Sequence, residues 1–315
     1  MAERSWREAA GVLLICALLI LLPGAATAAP ASYRVINLGT LGGTSSYGIA
    51  MNDRDALVGR AQTADETYHG FLWRDGQMTN LGKFTPIDIN NSEQIVGTRD
   101  DVGGAWIWHD GRFTSLTGLA YPRAINDSGR VVGGRDRPDG FPTPALWSDG
   151  EVAVLPLLDA PDLNGRVQVA GTRTPDDTQV GAAVWTAGRV TDLPSAGRGG
   201  AFRINDHGWV IGWVADEQGN ERASLWRGRQ RTDLGDLGGS WSHAMAINNR
   251  GQVLLLAGRA DGNYRPALWD NGKLTDLTAL GIPGDADYAD LDDRGRILGS
   301  ERVADGVAHA MLWQR

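Results

Sequence analysis

The chain has 315 residues, a formal net charge of −8 and a single cysteine. That length admits one large domain or two ordinary ones. The acidic balance offers no basic footprint for nucleic acid, and one cysteine excludes an internal disulfide or a metal site built of several cysteines.

Residues 9–22 form an uncharged, mostly Leu/Ile/Ala run, followed by Pro23-Gly24 and Ala26-Thr27-Ala28. The small-x-small triplet predicts a signal peptide over residues 1–28, cleaved after Ala28, and hence an extracellular or periplasmic product with a short leader at 29–32. A retained anchor needs about 20 apolar residues, and Ile15 before Cys16 is too large for a lipoprotein signal. Arg4 and Arg7 are offset by Glu3 and Glu8, so removing the segment leaves the charge at −8 and takes Cys16 away. A secreted domain without disulfides must be held by its own core.

From residue 33 onward the chain repeats. Trp73, Trp108, Trp147, Trp185, Trp226, Trp269 and Trp313 close similar apolar segments, and each of the first six is followed eight residues later by a Leu, from Leu81 to Leu277. An apolar-Asn pair recurs at Asn52, Asn90, Asn126, Asn164, Asn205 and Asn248, with Asp292 in the seventh copy. Seven residues beyond these stands a Gly, except for Leu255 in the sixth copy. Each copy resolves into four short strands: strand a ends at the Asn, strand b carries the Gly, strand c runs into the Trp and strand d ends on the Leu. Asp75-Gly76, Asp110-Gly111, Asp149-Gly150 and Asn271-Gly272 predict tight c–d hairpins, because a type I′ turn needs positive φ at both central residues. No room is left for a helix after residue 32.

Units of about 40 residues with shared Trp and Gly positions are the signature of a β-propeller, whose blades bury their faces only against one another. The fold expected is all-β, a seven-bladed propeller of four-stranded antiparallel blades over residues 33–315. The fixed Trp in each blade is expected to be a packing element. The seventh copy lacks strand d, whereas residues 33–38 are a strand d with no a, b or c before it. Pairing them would close the ring and remove two open sheet edges.

The residues that carry this repeat resemble the HAF-repeat family of bacterial extracellular proteins. The resemblance rests on His69-Gly70-Phe71-Leu72-Trp73 and His309-Ala310-Met311-Leu312-Trp313. It rests also on Asp233-Leu234-Gly235-Asp236-Leu237-Gly238-Gly239 with Ala246-Ile247-Asn248-Asn249-Arg250-Gly251-Gln252-Val253, and on Asn37-Leu38-Gly39-Thr40-Leu41-Gly42-Gly43. It covers residues 33–315, although blades two to four lack the Leu-Gly-Gly segment and most copies lack the His. It implies a secreted repeat protein and carries no established activity.

Variation collects in the d–a connections. The Leu-to-Asn distance is 14 residues before blade one, 9 or 10 before blades two to four, and 12, 14 and 15 before blades five, six and seven. This predicts a raised wall over blades five, six, seven and one, on the face shared by the d–a and b–c loops. Binding residues commonly sit on loops held by a rigid scaffold. The candidate ligand-binding residues are Tyr47, Trp241, His243 and Tyr288. Asp285, Asp287, Asp290, Asp292 and Asp293 have the alternate-carboxylate look of a calcium loop but lack its third ligand and Gly, so no cofactor is expected. No catalytic motif is present: no Gly-x-Ser-x-Gly, His-Glu-x-x-His or phosphate loop. The function expected is a monomeric secreted module binding a protein or glycan, without nucleic acid or membrane insertion. The alternatives are a propeller hydrolase or lyase acting on an extracellular polysaccharide, and a cell-surface structural protein.

Overall fold

The computed structural model describes residues 32–136, 140–175, 179–195, 197–304 and 306–315. The expected signal peptide lies outside the described residues. Seven four-stranded antiparallel sheets form a ring, the seven-bladed propeller that the repeat implies. Six blades use consecutive strands. Blade seven is built from Asp287–Leu291, Ile297–Ala304 and Val307–Gln314, and is completed by the N-terminal strand Arg34–Asn37. That strand pairs Arg34 with Gln314 and Asn37 with Met311, so the ring closes as expected.

Local chemistry explains the turns. Both central residues of the c–d hairpin have positive φ in blades one to four and six, for instance 52° and 79° at Asp75-Gly76, and in blade five only Gly228 does. All seven Leu residues that end strand d, Leu38 included, are buried, and hydrophobic clusters bridge neighbouring blades. One such cluster joins Leu57 and Phe71 of blade one to Leu298 and Leu312 of blade seven. The repeated Gly of strand b answers a close approach: a Cβ at Gly212 would stand 1.9 Å from the Gly200 carbonyl oxygen.

The Trp series packs between blades as expected: Trp226, Trp269 and Trp313 are buried, and the half-buried Trp73, Trp108, Trp147 and Trp185 lie against the clusters that join neighbouring sheets. Two expectations are corrected. A 3-10 turn, Leu277–Leu280, stands in the connection to blade seven, started by Asp276 accepting from the Thr278 amide and ended by left-handed Gly281. The Leu-Gly-Gly segments are not loops. They lengthen strand a to ten residues in blade one (Gly42–Met51) and blade six (Gly238–Ile247). Two buried serines hold these extensions: Ser46 Oγ accepts from the Ala310 amide at 2.9 Å, and Ser242 Oγ from the Ala223 amide at 3.0 Å. Strands b and c are seven or eight residues long in blades one, five, six and seven, and five or six in blades two to four. The wall is therefore built of strand rather than of loop.

Candidate functional site

Strand a of each blade lines the central channel, running from the loop face (d–a and b–c connections) to the turn face (a–b and c–d turns). On the turn face, side chains link neighbouring blades around a cavity of about 190 Å³. The Nδ2 of Asn52, Asn90, Asn126, Asn164, Asn205 and Asn248 each donates to the main-chain carbonyl of the matching residue one blade on, at 2.8–3.0 Å. Each Oδ1 accepts from amides two and four residues ahead, as Asn52 does from Arg54 and Ala56. This is the geometry by which Asn fixes a turn on its own backbone. The residues that follow form a second belt: Asp53, Asn91, Gly165, Asp206, Asn249 and Asp293 each have their amide capped by the side chain one blade on. The one gap follows Asp127, because Gly165 has no side chain to accept its amide.

Above the belts every strand a carries a bulge at the same register, between Gly48 and Ala50 in blade one and at the matching residues in the other six. A bulge re-aims the residue after it. That residue is Ala in blades one, three and six, but Asp88, Asp162 and Asp290 in blades two, four and seven, and Arg203 in blade five. Each carboxylate accepts its own blade's next amide and an amide of the following blade. Asp88 takes Ile89 and Ile125, Asp162 takes Leu163 and Ile204, and Asp290 takes Leu291 and Met51, all at 2.8–2.9 Å. These side chains border a channel cavity of about 150 Å³ with Arg123 and Arg203. They touch that cavity yet are enclosed by protein, and desolvation pushes Asp88 up to about 7 and Asp162 to about 6, with Asp290 raised as well.

The loop face holds the candidate residues. Tyr47 and His243 share one register level, five residues before the belt position, with Thr85, Tyr121, Asp159, Gly200 and Asp287 in the other blades. Tyr47 is 37% exposed, its ring 6.1 Å from that of Tyr68. Trp241 is half-buried and meets the exposed ring of Tyr264 edge to face at 5.9 Å. His243 Nδ1 lies 2.5 Å from Glu221 Oε1, and its ring packs on Phe202 at 4.9 Å. The fourth candidate, Tyr288, is corrected: it is buried, its ring tilted at 47° against that of Trp313, and its hydroxyl donates to the Pro283 carbonyl. Burial, with Asp285, Glu301 and Asp287 nearby, pushes that phenol up.

The five aspartates considered for calcium are dispersed. Asp290 caps amides in the channel, Asp292 and Asp293 belong to the belts, Asp287 is exposed at the channel rim, and Asp285 is exposed in the connection before it. Among the described residues no group of three or more His, Cys, Asp or Glu side chains is placed to hold a metal ion.

Sequence reading missed the exposed residues of blades three and four. Among the described residues ten large hydrophobics are exposed. Eight stand on or beside the loop-face connections: Tyr47, Val102, Tyr121, Phe141, Leu158, Val180, Tyr264 and Val303. The other two, Val35 and Val154, lie on outer strands. Tyr121 and Leu158 rim a small pit at the seam of blades three and four with Pro142, Pro144, Asp159 and Arg123. Aligning the repeats two residues before the belt would have flagged Asp88, Asp162, Arg203 and Asp290, since the remaining blades carry Ala there.

Fold and channel together define a β-propeller. No protein-family pattern matches the chain, and no curated protein resembles it by sequence. Solved structures do resemble it in shape. The acylaminoacyl peptidase of Pyrococcus horikoshii superimposes at a TM-score of 0.62 with 14% identity, over 85% of this chain and 51% of that one. A puromycin-hydrolyzing peptidase of Mycobacterium tuberculosis gives 0.55 and 15%, over 85% and 49%. The chain thus spans about half the length of these two peptidases. The β-propeller domain of the trilobed protease from Pyrococcus furiosus gives 0.58 and 12%, over 85% of this chain and 95% of that domain. That domain is described as having an open velcro topology, whereas here the N-terminal strand closes the ring. At such identities the likeness is one of fold alone.

Proposed function

We propose that this chain is a secreted binding module of the HAF-repeat type, which takes a protein or glycan on its loop face. One observation carries the reading: among the described residues eight of the ten exposed large hydrophobics stand on that face, while the turn face is ringed by polar, hydrogen-bonded belts. Exposed apolar groups gathered on one side of a soluble protein mark interaction surfaces. Among the described residues no helix is long and apolar enough to cross a membrane. The test is retention of the chain from residue 29 on a glycan array and on immobilised surface proteins. The variant Tyr47→Ala/Tyr121→Ala/Tyr264→Ala should lose at least tenfold in affinity, and Asp127→Asn on the turn face should not. Equal binding by the triple variant, or no retention on either support, overturns the reading.

The His243–Glu221 pair supports a second reading, hydrolysis or lysis of an extracellular polysaccharide. A carboxylate that orients a histidine is the arrangement general-base chemistry requires. The pair sits half-exposed at the rim rather than deep over the channel. Release of reducing ends that stops in Glu221→Gln would select this reading, and absence of turnover removes it.

A further inference from the structure

The channel cavity has more hydrogen-bond donors to spare than acceptors. Its three carboxylates already accept six backbone amides, two apiece. Its two guanidinium groups are almost unused. Arg203 spends one N–H on the Phe202 carbonyl at 3.2 Å, and Arg123 makes no side-chain hydrogen bond or ion pair among the described residues. Both are exposed to the channel they line. Each carries five donors in a rigid fork and no acceptor. The ligand that satisfies this cavity must therefore bring oxygen acceptors.

Arg123 also borders the pit at the seam of blades three and four, below the Tyr121 ring (51% exposed) and Leu158 (59% exposed). Arg123 thus lines both the polar cavity and a pit with an apolar, aromatic rim. Aromatic faces take the C–H face of a ring, and a guanidinium takes a carboxylate or sulfate through two parallel hydrogen bonds. The net charge of −8 opposes a long polyanion, which favours a short oligosaccharide or a chain end.

We propose that the loop-face end of the channel binds an acidic sugar, its oxyanion held by Arg123 and Arg203 and its ring laid over Tyr121 and Leu158. The proposal deepens the binding-module reading and rests on it. A peptide ligand is the competing outcome.

The measurement is titration calorimetry of the chain from residue 29 with trigalacturonate, with its methyl ester, and with a sulfated disaccharide. The ester keeps the rings and removes the charge. Binding of trigalacturonate or of the sulfated disaccharide supports the proposal and tells carboxylate from sulfate. Arg123→Gln and Arg203→Gln should each weaken that binding at least tenfold, and the ester should bind at least tenfold more weakly than the acid. Arg123 makes no side-chain hydrogen bond or ion pair among the described residues, so its variant should melt with the wild type and keeps the test valid if Arg203→Gln unfolds. Equal affinity for acid and ester, or unchanged affinity in Arg123→Gln, overturns the acidic-sugar assignment. If the array captures only neutral glycans or proteins, this proposal fails while the loop-face reading stands; if it captures nothing, both fail.

Discussion

Asn52 and its five counterparts pass a neutral amide-to-carbonyl hydrogen bond from blade to blade, but the seventh link is ionic. Asp292 cannot donate; its Oδ2 instead accepts from Arg296 Nε at 2.6 Å, and Arg296 reaches across to Asp55 of blade one at 2.5 Å. The Asp292 side chain is 1% exposed and pairs with Arg296. Removing one partner of a buried pair costs about 3–5 kcal/mol, and Arg296→Gln should lose about that much in denaturant unfolding. In blades two, four and six the position of Arg296 is held by Gln94, Gln168 and Gln252, each accepting from its belt Asn. The double variant Asp292→Asn/Arg296→Gln rebuilds that neutral link and should recover most of the loss. A double variant as unstable as the single one would show that the seventh position is not interchangeable with the others.

Strand a sets the architecture at the next scale. It carries the bulge that presents residues to the channel, and it leads into the Asn that links neighbours and the residue that caps the turn of the preceding blade. Blade four is the weak member of the second belt, since Gly165 leaves the Asp127 amide without its cap. Gly165 does not have the positive φ that would demand glycine, and a Cβ there would meet only Asp206 Oδ1 at 3.0 Å. Asn91 and Asp206 already tolerate the same arrangement in their blades. Gly165→Asn should therefore complete the belt and raise stability by about 1 kcal/mol, the net worth of one hydrogen bond, read as a higher urea midpoint at unchanged slope. A lower midpoint would mean that the Asp206 contact cannot give.

The strands, their order and the c–d turns were legible because each depends on its own residues: Asp-Gly and Asn-Gly fix a turn, and a period of two fixes a strand. What a segment does through its neighbour was not. Gly42-Gly43 and Gly238-Gly239 read as loop punctuation, yet Ser46 and Ser242, bonded to the preceding blade, hold those segments as strand. Tyr288 read as a loop aromatic, yet Trp313, distant in sequence, covers it. The channel residues were hidden for another reason. Asp88, Asp162 and Arg203 belong to no motif and stand out only when the blades are superposed on their bulges.

At the scale of the molecule the two faces divide the work. The turn face holds the ring together through its belts, and the loop face carries the exposed rings and the open end of the channel. The higher wall spans blades five, six, seven and one and thus straddles the closure, so the proposed binding surface depends on a closed ring. Closure rests on four paired residues, on buried Tyr33 and Leu38 beside them, and on the link from Arg296 to Asp55. Burying one large apolar side chain stabilises by about 1.5–3 kcal/mol, and 1 kcal/mol moves the melting temperature of a domain this large by about 2–4 °C. Thermal unfolding of residues 39–315 beside residues 32–315 tests the closure most directly. A self-closed ring predicts a melting temperature lower by about 10 °C or more for the shorter chain; equal melting temperatures would contradict it.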